Sequence, residues 1–423
     1  MTSDSYAAAS GLSLAPFRAL RPAVGDDRLG HLLCPPYDVI DDVQRAALLE
    51  QDADNAVALI LPRADDGADP YLLAAERLEA DVASKLLAAD AAPAMYVYEM
   101  RTDDGSVTRG LLGAVELRDP ADGVILPHEN TMAGPVADRL ALMSATQANL
   151  EPIYLVYDGG GAASKVISDV QDADVIASAE TPDGTSHRLW AITDPTEHAA
   201  VEADLATRHA LIADGHHRYA TYRQLQRDLR SEHGAGPWDR GLALLVDSSS
   251  YGPQVHAIHR VLVGVPLSTA VDQAAQGCDV QEVENPLAAL DAAARVHGFA
   301  MALTDGVRTW LVTDPAASLV AELLTPGEPA ALADLDVTVL HRAFVERIWH
   351  VPDTAEAVGY AHSIDEAIAE AGRSNGTAVL LRATPVEAVA AVAAAGARMP
   401  RKSTLFTPKP ASGLVMRRFI DQM

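Results

Sequence analysis

The feature that most limits the fold is an alternation along 423 residues: short apolar segments of period two take turns with segments whose apolar residues recur at helical spacing. Such a chain must cover sheets with helices, so the expected class is α/β, mixed with α+β elements, rather than a bundle or a sandwich. With 49% hydrophobic residues the chain exceeds what one core holds. Residues 1–262 read as an N-terminal α/β domain and 263–423 as a C-terminal α/β domain, with no repeat of fixed period.

Local chemistry marks several boundaries. Asp41 with Gln44 spells a capping box, Asp69 precedes Pro70 at a first helical position, and Thr384, Pro385 and Glu387 combine both devices. Met95–Arg101 and 107–117 flank Asp103, Asp104 and Gly105 as a hairpin, and a second hairpin turns at Asp305 and Gly306. A helix is expected over 137–148 and a strand over 152–157. The loop at Gly159, Gly160 and Gly161 lacks both the Lys-Ser/Thr of a P-loop and a dinucleotide fingerprint, which makes it a surface turn. The alanine-rich region 265–398 reads as a second α/β unit, with a helix over 335–349 that buries Val339, Phe344 and Ile348.

The formal net charge of −27 sets the surface against phosphate backbones and anionic lipid, so nucleic acid and membranes are not expected partners. Cys34 and Cys278 sit in no metal-ligand pattern and suit a reduced, cytoplasmic protein. The first twenty residues show no basic start followed by an apolar run, and no stretch approaches the roughly 20 apolar residues that span a bilayer.

One segment breaks a local rule. An apolar strand at 210–213 runs into Asp214-Gly215, after which Tyr222, Leu225 and Leu229 share one helical face. His216, His217 and Arg218 then occupy the first helical turn, where the partial positive charge of the helix resists cations and welcomes anions. A phosphate would reverse that penalty. The competing reading makes Asp214 an N-cap and the histidines a surface pair. A zinc site is disfavoured, because adjacent histidines project about 100° apart and no His-x-x-x-His pair follows.

Three further segments join this one. In Pro35-Pro36-Tyr37-Asp38, Asp38 sits in an extended stretch where it could serve chemistry or cap the next turn. His128 and Glu129 follow an apolar run, and a carboxylate beside an imidazole could act as a general base. The stretch from Met399 through Lys402, Ser403 and Thr404 to Lys409 is the most basic of an acidic chain and could close on an anion.

At these residues the chain resembles an uncharacterised prokaryotic group, domain-of-unknown-function family 1015. The carrying motifs are Pro-Tyr-Asp-Val-Ile ending at Ile40, His-Glu-Asn-Thr ending at Thr131, Ala-Asp-Gly-His-His-Arg-Tyr ending at Tyr219, and the run from Met399 to Val415. The Asp-Gly-His-His-Arg element also resembles the phosphate-binding turn of ParB/sulfiredoxin-like proteins, most closely that of free-serine kinases. That resemblance implies a ParB/sulfiredoxin-like element within a larger two-part chain. It further implies that Asp214, Gly215, His216, His217 and Arg218 cradle nucleotide phosphates, with a histidine at the transferring group and Asp214 near magnesium or substrate. A separate carboxylate would act as base, with Glu129 first and Asp38 second.

The resulting expectation is a nucleotide-dependent phosphotransferase acting on a small hydroxylated metabolite such as free serine. Catalytic roles fall to Glu129, Asp214, His217 and Asp38; cofactor contacts to Gly215, His216, Arg218, Lys402, Ser403 and Lys409; metal contact to Asp214. ATP or ADP with magnesium is the expected cofactor, CTP a further candidate donor, and the oligomeric state stays open. The rival expectations are a phosphate- or nucleotide-binding regulator without turnover, and a metal-dependent phosphoester hydrolase using His128, Glu129, Asp214 and His216.

Overall fold

The computed structural model describes residues 11–64, 67–170, 173–321, 323–352, 354 and 356–423; the part of the leader reading that rests on residues 1–10 lies outside the described residues. Two compact units form. The first runs to Pro127 and continues through Thr131–Pro253 and Pro408–Met423; the second comprises His128–Asn130 and Gln254–Thr407. In place of one cut between 262 and 263, both units are therefore discontinuous. The C-terminal tail returns to the first unit, where Arg417–Arg418 pairs with Ala148–Asn149. So short a pairing segment carries no readable period.

Among the described residues, the first unit is built on a nine-stranded sheet. Its strands are β1 (Leu14–Ala15), β2 (Met95–Arg101), β3 (Val107–Glu116), β4 (Ile125–Leu126), β5 (Ile153–Tyr157), β6 (Ala177–Glu180), β7 (Ser186–Ile192), β8 (Ala210–Asp214) and β9 (Arg240–Asp247). The order is β4-β8-β5-β9-β3-β2-β7-β6, with β1 laid on β3. The β4/β8 and β9/β5 pairs are parallel and the other pairs antiparallel, which confirms a mixed α/β fold. The β2/β3 hairpin turns as its residues require: Asp104 accepts from the Thr102 hydroxyl at 2.6 Å and the Ser106 amide at 2.9 Å, and Gly105 takes φ 83°.

Two helices pack beside the central strands: α1 (Ala133–Thr146) and α2 (His216–His233). Helix α1 starts before the expected 137 because Pro135 falls in its first turn, where a missing amide is harmless. It stops at Gln147, which adopts φ 48° and donates its amide to the Met143 carbonyl, and Ala148 then joins a strand. Tyr219, Tyr222 and Leu225 of α2 are buried with Val97, Leu111, Leu155, Ile212 and Leu245 of the sheet in one core. The helix ends at Gly234, φ 82°, with Arg230 and His233 in its last turn, favourable for the dipole. The glycine loop at 159–161 is ringed by Asp158, Asp204 and Asp247 and bridged by Arg208, an environment that repels phosphate and agrees with a turn.

The second unit holds a six-stranded antiparallel sheet among its described residues. Its strands are β10 (His259–Leu262), β11 (Asp279–Val283), β12 (Ala300–Thr304), β13 (Thr309–Thr313), β14 (Val358–Ala361) and β15 (Thr377–Leu381), in the order β11-β13-β12-β15-β10-β14. Asp305 accepts the amides of Val307 and Arg308, both at 2.9 Å, at the expected hairpin. The expected helix over 335–349 is a short α-turn, Asp336–Val339, followed by a π-helix at Leu340–Ile348. Val339 and Phe344 are buried as expected, yet Trp349 donates to the Phe344 carbonyl at 2.7 Å, five residues back. The Asp41–Gln44 capping box and the Asp69 cap before Pro70 both form. At 384–387 no side chain caps the helix; Pro385 itself is the N-cap of Val386–Ala394.

Gly113 on β3 lets β1 approach: a Cβ there would lie 2.5 Å from Leu14 Cγ. Gly113→Val should therefore lower the unfolding free energy by about 1–3 kcal/mol in chemical denaturation, the usual cost of overpacking. An unchanged midpoint would show that β1 yields freely.

Candidate functional site

Strand β8 carries a register irregularity between Ile212 and Asp214 in its pairing with β5. A bulge of this kind re-aims the side chain that follows it. Gly215 then takes φ 90° and ψ 31°, a left-handed conformation open to glycine at little cost, and becomes the N-cap of α2. A Cβ at Gly215 would stand 3.1 Å from Arg218 Nε. No side chain caps the start of α2, and Tyr219 donates back to the Gly215 carbonyl at 2.8 Å. Asp214 is thus the last strand residue and not an N-cap.

Both oxygens of Asp214 meet cations. Oδ1 accepts from Lys409 Nζ at 2.6 Å, and Oδ2 accepts from Arg218 Nη2. Lys409 Nζ also lies 3.5 Å from Asp38 Oδ2. The tail segment is fixed by backbone and hydroxyl bonds. Ser412 donates its amide to Cys34 O at 2.8 Å and its hydroxyl to Glu151 Oε1 at 3.1 Å, while Ala411 donates to Tyr98 Oη at 3.2 Å. This pairing beside Cys34 is what delivers Lys409 to Asp38 and Asp214.

The buried charges extend further. Arg218, 3% exposed, donates Nη1 to the Pro152 carbonyl. Glu151, 5% exposed, accepts the Tyr37 amide at 3.1 Å and lies 3.8 Å from Arg139, whose guanidinium stacks 4.2 Å over the Tyr37 ring. Three carboxylates and three cations, those of Asp38, Glu151, Asp214, Arg139, Arg218 and Lys409, therefore interlock. Burial is the largest single influence on Arg218 and Lys409 and lowers both pKa values, but Asp214, Glu151 and Asp38 together at Arg218, and Asp214 with Asp38 at Lys409, outweigh it; both are raised and stay charged. Burial pushes the Tyr37 hydroxyl up to about 12, against the pull of Arg218. Two buried donors beside Asp214, Arg218 Nε and Tyr154 Oη, have no hydrogen-bond partner among the described residues. Water or a ligand group would satisfy them.

The three potential cations in the first turn of α2 have different surroundings. His217 Nε2 accepts the Met132 amide at 3.0 Å, so that nitrogen carries no proton and the ring ties α2 to the start of α1. His216 is buried at 8% exposure, and the charge of Arg218 is met by Asp214. Each oxygen of Asp214, the residue expected to contact magnesium, already serves a cation as counter-ion. Among the described residues there is no group of three or more His, Cys, Asp and Glu that could hold a metal ion.

In the first unit, then, Asp38, Asp214, Gly215, His216, His217, Arg218 and Lys409 gather at one place. Glu129, Lys402 and Ser403 belong to the second unit. There His128 is buried, with Nε2 3.0 Å from Thr404 Oγ1, and its carbonyl accepts the Met399 amide at 2.8 Å. Ser403 donates to the Pro400 carbonyl, and Lys402 is exposed with φ 53°. Sequence reasoning missed Glu151, Arg139, Tyr37 and Tyr154. A lone acid between Leu150 and Pro152, at the mouth of an apolar strand, was the available signal for Glu151.

The sequence profile of a family described as a protein of unknown function, DUF1015, matches residues 14–338. The chain belongs to this family. In this DUF1015 chain three of the four motifs fall inside the match, and the run from Met399 to Val415 lies beyond it. No curated protein matches it. Similar solved structures include a mutant free serine kinase in complex with ADP, at 15% identity and TM-score 0.36, covering 71% of this chain and 90% of that one. Others are a conserved hypothetical protein from Pyrococcus furiosus, at 16% and 0.35 over 71% and 94%, and C-terminally truncated SbnI from Staphylococcus aureus, at 10% and 0.36 over 72% and 86%. Likeness at this level assigns no function. No helix among the described residues is long and apolar enough to cross a membrane.

Behind the tail segment, Tyr98 Oη also lies 2.8 Å from His187 Nδ1, and His187 Nε2 lies 3.0 Å from Thr181 Oγ1. Burial lowers the His187 pKa from 6.5 to about 4. Between those values the unfolded chain binds a proton that the folded chain refuses, so stability is lost as pH falls from 6.5 toward 4, by up to roughly 3 kcal/mol for this group. His187→Gln should flatten that part of the stability-against-pH curve; an unaltered slope would remove His187 as its source.

Proposed function

We propose that this chain is a nucleotide-dependent phosphotransferase that moves a phosphoryl group onto the hydroxyl of a small metabolite, with ATP or ADP as donor and free serine as the first acceptor to try. The observation that carries the reading is the Lys409 ammonium, 2.6 Å from Asp214 beside the uncapped N-terminus of α2. Phosphoryl transfer depends on positioning and charge neutralisation more than on covalent chemistry from the protein. A helix N-terminus, a glycine that allows close backbone approach and a half-buried ammonium supply both. Asp214 acts by holding Lys409 and Arg218 charged and in place, and His217 by tying α2 to α1.

In the transfer, the P–O bond to the leaving nucleotide breaks as a new P–O bond to the acceptor oxygen forms, and the hydroxyl proton passes to a carboxylate. Asp38, 3.5 Å from the Lys409 ammonium within the same unit, is assigned that base role. Because both Asp214 oxygens serve as counter-ions, no step is given to a metal bound there.

Thermal unfolding with ATP, ADP and CTP in turn tests the reading. A nucleotide at 100 times its dissociation constant should stabilise wild type by about 2.7 kcal/mol, and Lys409→Gln, folded by circular dichroism, should lose that gain. Asp38→Asn should keep it while product formation, followed by mass spectrometry with serine as acceptor, drops about 10²–10⁴-fold. Stabilisation without product across a broad acceptor panel would favour a binding regulator. No stabilisation by any nucleotide would remove the phosphotransferase reading.

A further inference from the structure

The second unit contains a cavity of about 500 Å³, in the range that holds small metabolites. Its charged lining comprises Glu328, His341, Arg342, Glu346, Arg398 and Arg401. His341, Arg342 and Glu346 stand on the π-helix Leu340–Ile348. Such widened turns are uncommon, and they occur disproportionately at functional sites.

The charges of this cavity differ in how they are met. Arg342 and Glu328 form a two-pronged pair at 2.6 and 2.8 Å, and Glu328 also accepts the Thr325 amide at 2.7 Å. These two lock each other as wall. The Arg401 carbonyl accepts from Arg260 Nη2 at 3.1 Å, and Arg260, 0% exposed, donates Nε to His341 Nε2 at 3.1 Å. The loop that ends the cavity is thereby tied to the π-helix. Arg398 is different: half-buried, it donates Nη1 to the Ala397 carbonyl at 3.1 Å and makes no ion pair among the described residues. Burial without a carboxylate lowers its pKa, the mark of a cation that has lost water and gained no counter-ion. Three guanidinium groups against two carboxylates leave the lining positive in a chain of net charge −27.

From this lining we infer a second ligand site, independent of the phosphotransferase reading, in which the cavity binds a small metabolite through an oxyanion gripped by Arg398. The planar guanidinium fork matches a carboxylate and a phosphate alike. Arg401 adds charge at the same lining, and Glu346 opposes a doubly charged anion.

The test uses the full chain carrying Lys409→Gln, so that the turn at Asp214 does not contribute, titrated calorimetrically with inorganic phosphate and separately with acetate. Saturable binding of at least one probe is expected. Adding Arg398→Ala should weaken it about ten- to a hundredfold, the usual worth of a charged hydrogen bond, and adding Glu346→Gln should tighten it. Preference for phosphate assigns organic phosphates, and preference for acetate assigns carboxylates. Equal affinity with and without Arg398→Ala, or no saturable binding of either probe at high millimolar concentration, would overturn the proposal. Arg398→Ala in the otherwise wild-type chain should leave nucleotide stabilisation unchanged, which separates failure here from failure of the phosphotransferase reading.

Discussion

The paired engagement of Asp214 by Lys409 and Arg218 is the constraint on which the first unit's site depends. Charges removed from water cost several kcal/mol each unless geometry and hydrogen bonding offset them. Here the offset is distributed: Asp214 serves two cations, Asp38 approaches Lys409, and Glu151 sits between Arg139, the Tyr37 amide and the Ser412 hydroxyl. Those partners come from four distant stretches of chain, 37–38, 139–151, 214–218 and 409–412. Closing the network therefore requires the tail to return to the first unit, and the Cys34–Ser412 bridge and the Ala411–Tyr98 bond make that return specific.

The same network fits the anion that the proposed function requires of an acidic chain. A net charge of −27 repels phosphate at long range, but screening reduces that field beyond about 8–10 Å while a half-buried ammonium acts at contact distance. The Asp214 carboxylate, satisfied on both oxygens, keeps Lys409 and Arg218 protonated without leaving a bare negative charge. A ligand phosphate would then meet the helix end and the outer protons of the ammonium.

Much of this was readable from the sequence, for identifiable reasons. The apolar run 210–213, the Asp-Gly turn and the Tyr222–Leu225 spacing specify strand, turn and helix by local rules alone, and the structure follows them. The hairpin at 102–106 and the caps at Asp41 and Asp69 are likewise local. What stayed hidden depends on partners remote in the chain. His217 looks like a cation in sequence and is an acceptor because Met132, 85 residues away, donates to it. Arg139 carries no pattern, and the lone acid at Glu151 acquires its meaning only from Tyr37 and Ser412. The π-helix broke a 3.6-residue reading because an i→i+5 turn shifts every following side chain, and the start of α1 was missed because Gly134-Pro135 reads as a stop when it is a first turn.

The most direct test of the central claim is hydrogen–deuterium exchange across 210–222 and 405–415, with and without saturating nucleotide. The account predicts added protection at the amides of His216, His217 and Arg218 and along the tail around Lys409. Nucleotide binding that leaves these two segments unprotected while protecting others would contradict it.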